Sequence, residues 1–95
     1  MFLILLKYIK PLEEVEKYLE EHVQFLDKYY SQEKFIFSGR KNPRTGGVIL
    51  VKTKLDTEVK QIISEDPFHQ HKIAEYEVIE FFPTKYDSRF SVLVE

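Results

Sequence analysis

Apolar positions along this chain recur with two different periods, and the alternation between them predicts its elements. Over residues 12–30 the spacing is helical: at about 100° per residue, Leu12, Val15, Leu19, Val23, Leu26 and Tyr30 share one face, widened on one side by Tyr18, Phe25 and Tyr29. That predicts an amphipathic helix running to about Gln32, with Glu13 and Glu14 in its first turn where the macrodipole favours them. His22 falls inside the apolar arc. Before the helix, residues 2–9 form an apolar run of strand length, ended by Pro11, which suits the first helical turn.

After the helix, Phe35-Ile36-Phe37-Ser38-Gly39-Arg40 has the aromatic and β-branched content of a second strand. The Asn42-Pro43-Arg44-Thr45-Gly46-Gly47 stretch is turn chemistry, and it joins that strand to a third over residues 48–51, continuing toward Lys54. Asp56 or Thr57 can cap a second helix that carries Val59, Ile62 and Ile63 inward and stops near Asp66-Pro67. Pro67 can in turn open a short helical turn over residues 68–73. A fourth strand spans residues 75–82, closed by Pro83, and residues 90–94 read as a short extra strand of unassigned position.

The order β-α-β-β-α-β predicts a single α+β domain over residues 1–95, a four-stranded antiparallel sheet with both helices on one face. A sheet whose other face met water would alternate apolar and polar residues. Here Leu3 and Leu5 stand opposite Ile4 and Leu6, and Val48 and Leu50 stand opposite Ile49 and Val51. Both faces call for burial, and no sequence remains to build a second layer. A homodimer closed through the open sheet face is therefore expected.

Composition narrows the function classes. Ninety-five residues, 43% hydrophobic and 15% aromatic, describe an ordinary globular chain. A net charge of −2 and a pI near 5.9 give no electrostatic footprint for nucleic acid. The absence of cysteine removes disulfides, thiolate metal sites and thiol nucleophiles, and fits a reducing, cytoplasmic setting. The apolar N-terminus lacks a preceding basic segment and is far too short for a bilayer span, so neither a signal peptide nor a membrane partner is expected.

Among candidate chemical groups, His22 has two readings: a core histidine bonded to a carbonyl or a tyrosine, or a general acid/base tuned by a partner. Asp66, in the turn leaving the second helix, is the candidate partner, although it can equally be the cap of the turn that Pro67 opens. One carboxylate oxygen could cap while the other holds an imidazole. Ser38 either caps a strand edge or contacts a ligand or His22, and Gly39 either forms a bulge or lets a ligand approach the backbone. Arg40, Lys41 and Arg44 read most simply as a solvated hairpin, although Arg40 alone could reach a ligand carboxylate. Phe68 could wall an apolar pocket. His69 and His71 diverge on a helical turn and are expected to be surface polar groups; no metal or cofactor is expected.

Glu21-His22-Val23, Ser38-Gly39, the Gly46-Gly47 hairpin, Asp66-Pro67-Phe68 and the closing strand ending at Pro83 occur together in an order that resembles the YCII-related family of small dimeric α+β barrel proteins. The resemblance spans roughly residues 2–85. It implies a ferredoxin-like fold, dimerisation through the sheet, and an active site of a histidine and an aspartate, here His22 and Asp66, with Ser38 nearby. It also implies similarity to the muconolactone-isomerase type of barrel, in which small cyclic acids undergo proton transfer. Two positions depart from the family pattern: Arg40 stands where a proline is common, and Lys72 where many relatives have a glycine. Both favour an anionic ligand.

The expected function is thus a small isomerase or lyase, in which His22 acts as general acid/base, Asp66 fixes its tautomer, and Ser38 with Arg40 contacts a small, carboxylated, cyclic substrate. The alternative is a non-catalytic ligand-binding or assembly module in which His22 and Asp66 form a structural hydrogen bond.

Overall fold

The sheet is laid down by register. A computed structural model describes residues 1–94. In it β1 (Phe2–Tyr8) lies between β3 (Gly46–Val51) and β4 (Ala74–Glu80), with β2 (Phe35–Arg40) outside β3, giving the order β2-β3-β1-β4. All pairings are antiparallel. Phe2, Ile4 and Leu6 stand on one face beside Val51 and Ile49, and all five are buried. A one-residue slip would turn that whole set to the opposite face, so the apolar pattern specifies the pairing.

The buried face is covered by α1 (Leu12–Lys17), α2 (Leu19–Ser31) and α3 (Asp56–Glu65), with a short α4 (Pro67–Gln70) closing one end. Phe25 and Tyr29 of α2, Val59 and Ile62 of α3 and Phe68 of α4 complete the core. Each such side chain contributes about 1.5–3 kcal/mol by burial. This is an α+β, ferredoxin-like fold with a four-stranded antiparallel sheet.

The first helix differs from its sequence reading. It is broken at Tyr18, whose N–H bonds to Val15 O rather than continuing the regular ladder. The Tyr18 ring stacks on His71 with centroids 4.0 Å apart, a tertiary contact that no local sequence signal announces. The break shifts the phase of the apolar stripe. Phe25 and Tyr29 become its centre, while Leu12 and Val23, expected inward, are each 44% exposed.

Two helices end in left-handed residues. Glu33 (φ 58°) follows α2 and Lys72 (φ 56°) follows α4. In each case the two N–H groups past the cap return to the last turn: Glu33 N to Tyr30 O and Lys34 N to Tyr29 O, then Lys72 N to His69 O and Ile73 N to Phe68 O. This is the Schellman pattern, which favours glycine. The position of Lys72 therefore carries a backbone constraint of its own.

Several boundaries also move. β3 begins at Gly46, so both glycines belong to the strand rather than the turn. Gly46 is required there, because a side-chain carbon would collide with the Leu6 carbonyl of the adjacent strand. The sheet irregularity falls between Phe35 and Phe37 and not at Gly39. α3 starts at Asp56 with Leu55 in the cap position, so neither Asp56 nor Thr57 caps it.

Residues 90–94 are not a strand. Ser88–Phe90 is a 3-10 turn that leads into α5 (Ser91–Val94). The Asp87 carboxylate accepts from the backbone N–H of Arg89 and pairs with its guanidinium. That local cap outcompetes the β propensity of Phe90 and Val92.

The second sheet face carries Leu3, Leu5, Val48, Leu50, Phe37 and Ile79, of which Phe37 and Ile79 are prominently exposed. No helix among the described residues is long and apolar enough to cross a membrane.

Candidate active site

The site is assembled by packing α4 against α2. Asp66 ends α3 in extended geometry and its side chain caps α4, with Oδ1 accepting from Phe68 N at 2.9 Å. Pro67 at the first helical position fixes that turn. The same Oδ1 accepts from His22 Nδ1–H at 2.8 Å, across a separation of 44 residues. The second oxygen, Oδ2, accepts from the Tyr76 hydroxyl at 2.7 Å. Capping and imidazole binding thus share one oxygen, and the other is taken by a tyrosine of β4.

Asp66 is 0% exposed and is a buried polar residue among an otherwise apolar set. Three donors compensate its burial. Tyr76 is held firmly in its protonated, donating form: burial raises its proton affinity most, and the Asp66 charge and hydrogen bond raise it further.

His22 is fixed on two sides. Its ring lies parallel to Phe68, with centroids 4.1 Å apart and an interplanar angle of 6°. Its Nδ1–H is committed to Asp66, which sets the tautomer and leaves Nε2 as the basic nitrogen. Nε2 has no protein partner among the described residues, and none of their buried side-chain polar atoms is unpaired. Nε2 therefore reaches space that a ligand can enter.

His22 lines a cavity of about 300 Å³ between α2 and the β2–β3 end of the sheet. His22 and Phe68 form one wall, Leu6, Leu19, Val23, Leu26 and Ile49 supply apolar surface, and Tyr8, Ser38, Arg40 and Arg44 supply polar groups. The volume is at the small end for ligand sites and suits a single-ring compound.

The structure places the sequence candidates unevenly. His22, Ser38, Gly39, Arg40 and Phe68 all line the cavity, and Asp66 stands behind His22. Ser38 does not orient His22; its Oγ shares a 2.8 Å hydrogen bond with the Tyr30 hydroxyl. Gly39 has open space where a side-chain carbon would sit. Arg44 is not simply a solvated hairpin residue, because it lines the cavity and its Nη1 donates to Glu16 Oε1 at 3.0 Å. His69 and His71 lie apart from the cavity, His69 edge-on to Tyr76 and His71 stacked on Tyr18. The signal that could have found Tyr76 is register: it pairs with Leu6 and so shares the helix-covered face, where a hydroxyl needs a partner.

A ferredoxin-like sheet with a histidine–aspartate pair set beside a small cavity between helix and strands describes the class of this molecule. The chain belongs to the YCII-related domain family, whose profile matches residues 1–82. No functionally curated protein matches it in sequence. Among solved structures it is similar to 5-chloro-2-hydroxyhydroquinone dehydrochlorinase from Burkholderia phenoliruptrix AC1100, determined in complex with 2,5-dihydroxybenzoquinone, with a TM-score of 0.72 and 16% identity over 94% of this chain and 98% of that one.

Proposed function

We propose that the chain is a small enzyme of isomerase or lyase type, in which His22 and Asp66 carry general acid/base chemistry on a small cyclic substrate. One observation carries this reading: His22 Nδ1 is tied to a buried carboxylate, Nε2 has no protein partner among the described residues, and the residue lines a cavity. In the reaction, Nε2 takes a proton from a substrate carbon or hydroxyl, and the imidazolium so formed is stabilised by the Asp66 carboxylate. Return of that proton to a neighbouring carbon completes an isomerisation. Departure of a leaving group with the electron pair completes an elimination. The dehydrochlorinase with the similar fold acts on a hydroxylated ring compound, which supports a substrate of that size and kind.

The test is a screen of hydroxylated and carboxylated ring compounds for proton exchange and elimination with the wild type and His22→Gln. Turnover that is lost in a folded His22→Gln variant supports the enzyme. Turnover that persists unchanged in that variant overturns it. The alternative, a ligand-binding or assembly module, draws on the cap that Asp66 provides to α4, and it predicts that His22→Gln alters stability alone.

The working form is a homodimer closed through the face that carries Phe37, Leu50 and Ile79, in a cytoplasmic setting. The exposure of Phe37 and Ile79 on that apolar face supports it. His22 lies on the other side of the sheet, so the seam does not cover it. A stable monomer in sedimentation at micromolar concentration refutes the dimer.

A further inference from the structure

The charges around the cavity are one-sided. No carboxylate lines it, whereas two guanidinium groups do, in a chain whose net charge is −2. Arg40 ends β2 opposite Gly47, which offers no side chain to crowd it, and it stands on the same strand face as Ser38. It has no ion-pair partner among the described residues. Arg44 projects from the hairpin that joins β2 to β3 and is held by Glu16, itself on the solvent side of α1 with its side chain 59% exposed. Tyr8 lines the same cavity.

We propose that Arg40 and Arg44 form an anion clamp at the His22 cavity, selecting a single-ring substrate that bears a planar two-oxygen anion, and that Glu16 occupies the Arg44 half of the clamp until substrate displaces it. The proposal rests on the reading of the cavity as the site of His22 chemistry, and it adds to that reading the charge and shape of the substrate.

Guanidinium forks match planar oxygen pairs, either a carboxylate or adjacent ring oxyanions. An exposed ion pair such as Arg44–Glu16 is weak, so a ligand anion in the less hydrated cavity competes effectively with it. The clamp also serves the chemistry. When Nε2 removes a proton from the ring, negative charge spreads toward the ring oxygens, where fixed cations stabilise it more than they stabilise the ground state. Arg40 supplies one of these cations from the end of β2 and Arg44 the other from the hairpin.

Binding of benzoate, tropolonate and neutral benzamide to the full-length protein, measured by titration calorimetry at low salt with the His22 ring proton signals as a marker of location, tests the clamp. Benzoate tests the carboxylate arm and tropolonate the ring-oxyanion arm. At least one anion is expected to bind about tenfold or more tighter than benzamide and to shift the His22 signals, with Arg40→Gln and Arg44→Gln each weakening it by about tenfold. Glu16→Gln is expected to tighten it about threefold, because the competitor is gone. Equal binding of all three probes, no binding of either anion, or weaker binding in Glu16→Gln overturns the proposal.

The His22→Gln variant separates the two readings. Anion binding that survives in it, alongside unaltered turnover, leaves the clamp standing and removes the catalytic role of His22. Loss of turnover in it, without anion preference in the wild type, does the reverse.

Discussion

Replacing Tyr76 with Phe removes one oxygen atom and leaves the ring in place, so it isolates the hydrogen bond that holds Asp66 from the strand side. The Tyr76 hydroxyl donates to Asp66 Oδ2 at 2.7 Å, and the aspartate is 0% exposed. In the variant Oδ2 has no other protein donor and no direct path to bulk water. An orphaned buried acceptor that carries charge costs about 2–3 kcal/mol, more than the bond itself contributes. For a domain of this length, that corresponds to a fall in melting temperature of about 10 °C or more. Urea denaturation followed by far-ultraviolet circular dichroism reads the change directly. The cause is tested by repeating the substitution in Asp66→Asn, where the amide nitrogen takes the place of one carboxylate oxygen and no buried charge is left unpaired. There the Tyr76→Phe cost is expected to shrink by about 1–2 kcal/mol, the coupling between the two groups. A cost below about 0.5 kcal/mol in the wild type, or an equal cost in both backgrounds, refutes the reasoning.

Backbone and surface geometry give three further expected outcomes. Gly46→Ala is expected to destabilise by about 3 kcal/mol in the same denaturation assay, because the Leu6 carbonyl cannot move without disturbing the β1–β3 pairing, whereas Gly39→Ala meets open space and is tolerated. Lys72→Gly is expected to stabilise by up to about 1 kcal/mol, since the residue sits at φ 56° in a Schellman cap; an unchanged or lower melting temperature contradicts this. Lys28, Gln61 and Tyr29 hydrogen-bond the Glu65 carboxyl and hold it at about 2, below its ordinary 4.5. A depressed folded value means that the contribution is present above pH 4.5 and is lost as pH falls through about 2, so the stability difference between wild type and Glu65→Gln should vanish over that window. Solvent screening limits that difference to about 1 kcal/mol.

What is legible in the sequence is local signals and their periods. The alternation of strand and helix patterns is enough for the ferredoxin-like fold, because the inward row of β1 has only one register that buries it against β3. His22 and Asp66 are each visible, one by helical phase and the other by the Asp-Pro-Phe turn. Their contact is not, because it depends on how α4 packs on α2 across 44 residues of chain. Tyr76 and Arg44 stay hidden for the same reason. An aromatic in a strand and an arginine in a turn are satisfied by bland explanations until register and packing show what lies beside them. The tail misleads for a different reason: Asp87, which caps the turn at Ser88–Phe90, is a local signal, but the β-forming residues after it outweigh it in a reading by propensity.

The triple hydrogen bonding of Asp66 means that the fold itself needs this carboxylate, whatever chemistry His22 performs. Removing its charge disturbs the cap of α4, the anchor of Tyr76 and the orientation of His22 together. His22 is different. Its loss leaves Asp66 with two donors, Phe68 N and the Tyr76 hydroxyl, so the carboxylate stays compensated while the only basic group of the pair that reaches the cavity is gone. Loss of function at His22 can therefore be assigned to chemistry in a way that loss at Asp66 cannot. The histidine is thus backed by a carboxylate that the fold already needs, so the proposed proton transfer would require no separate scaffold of polar groups in this small domain.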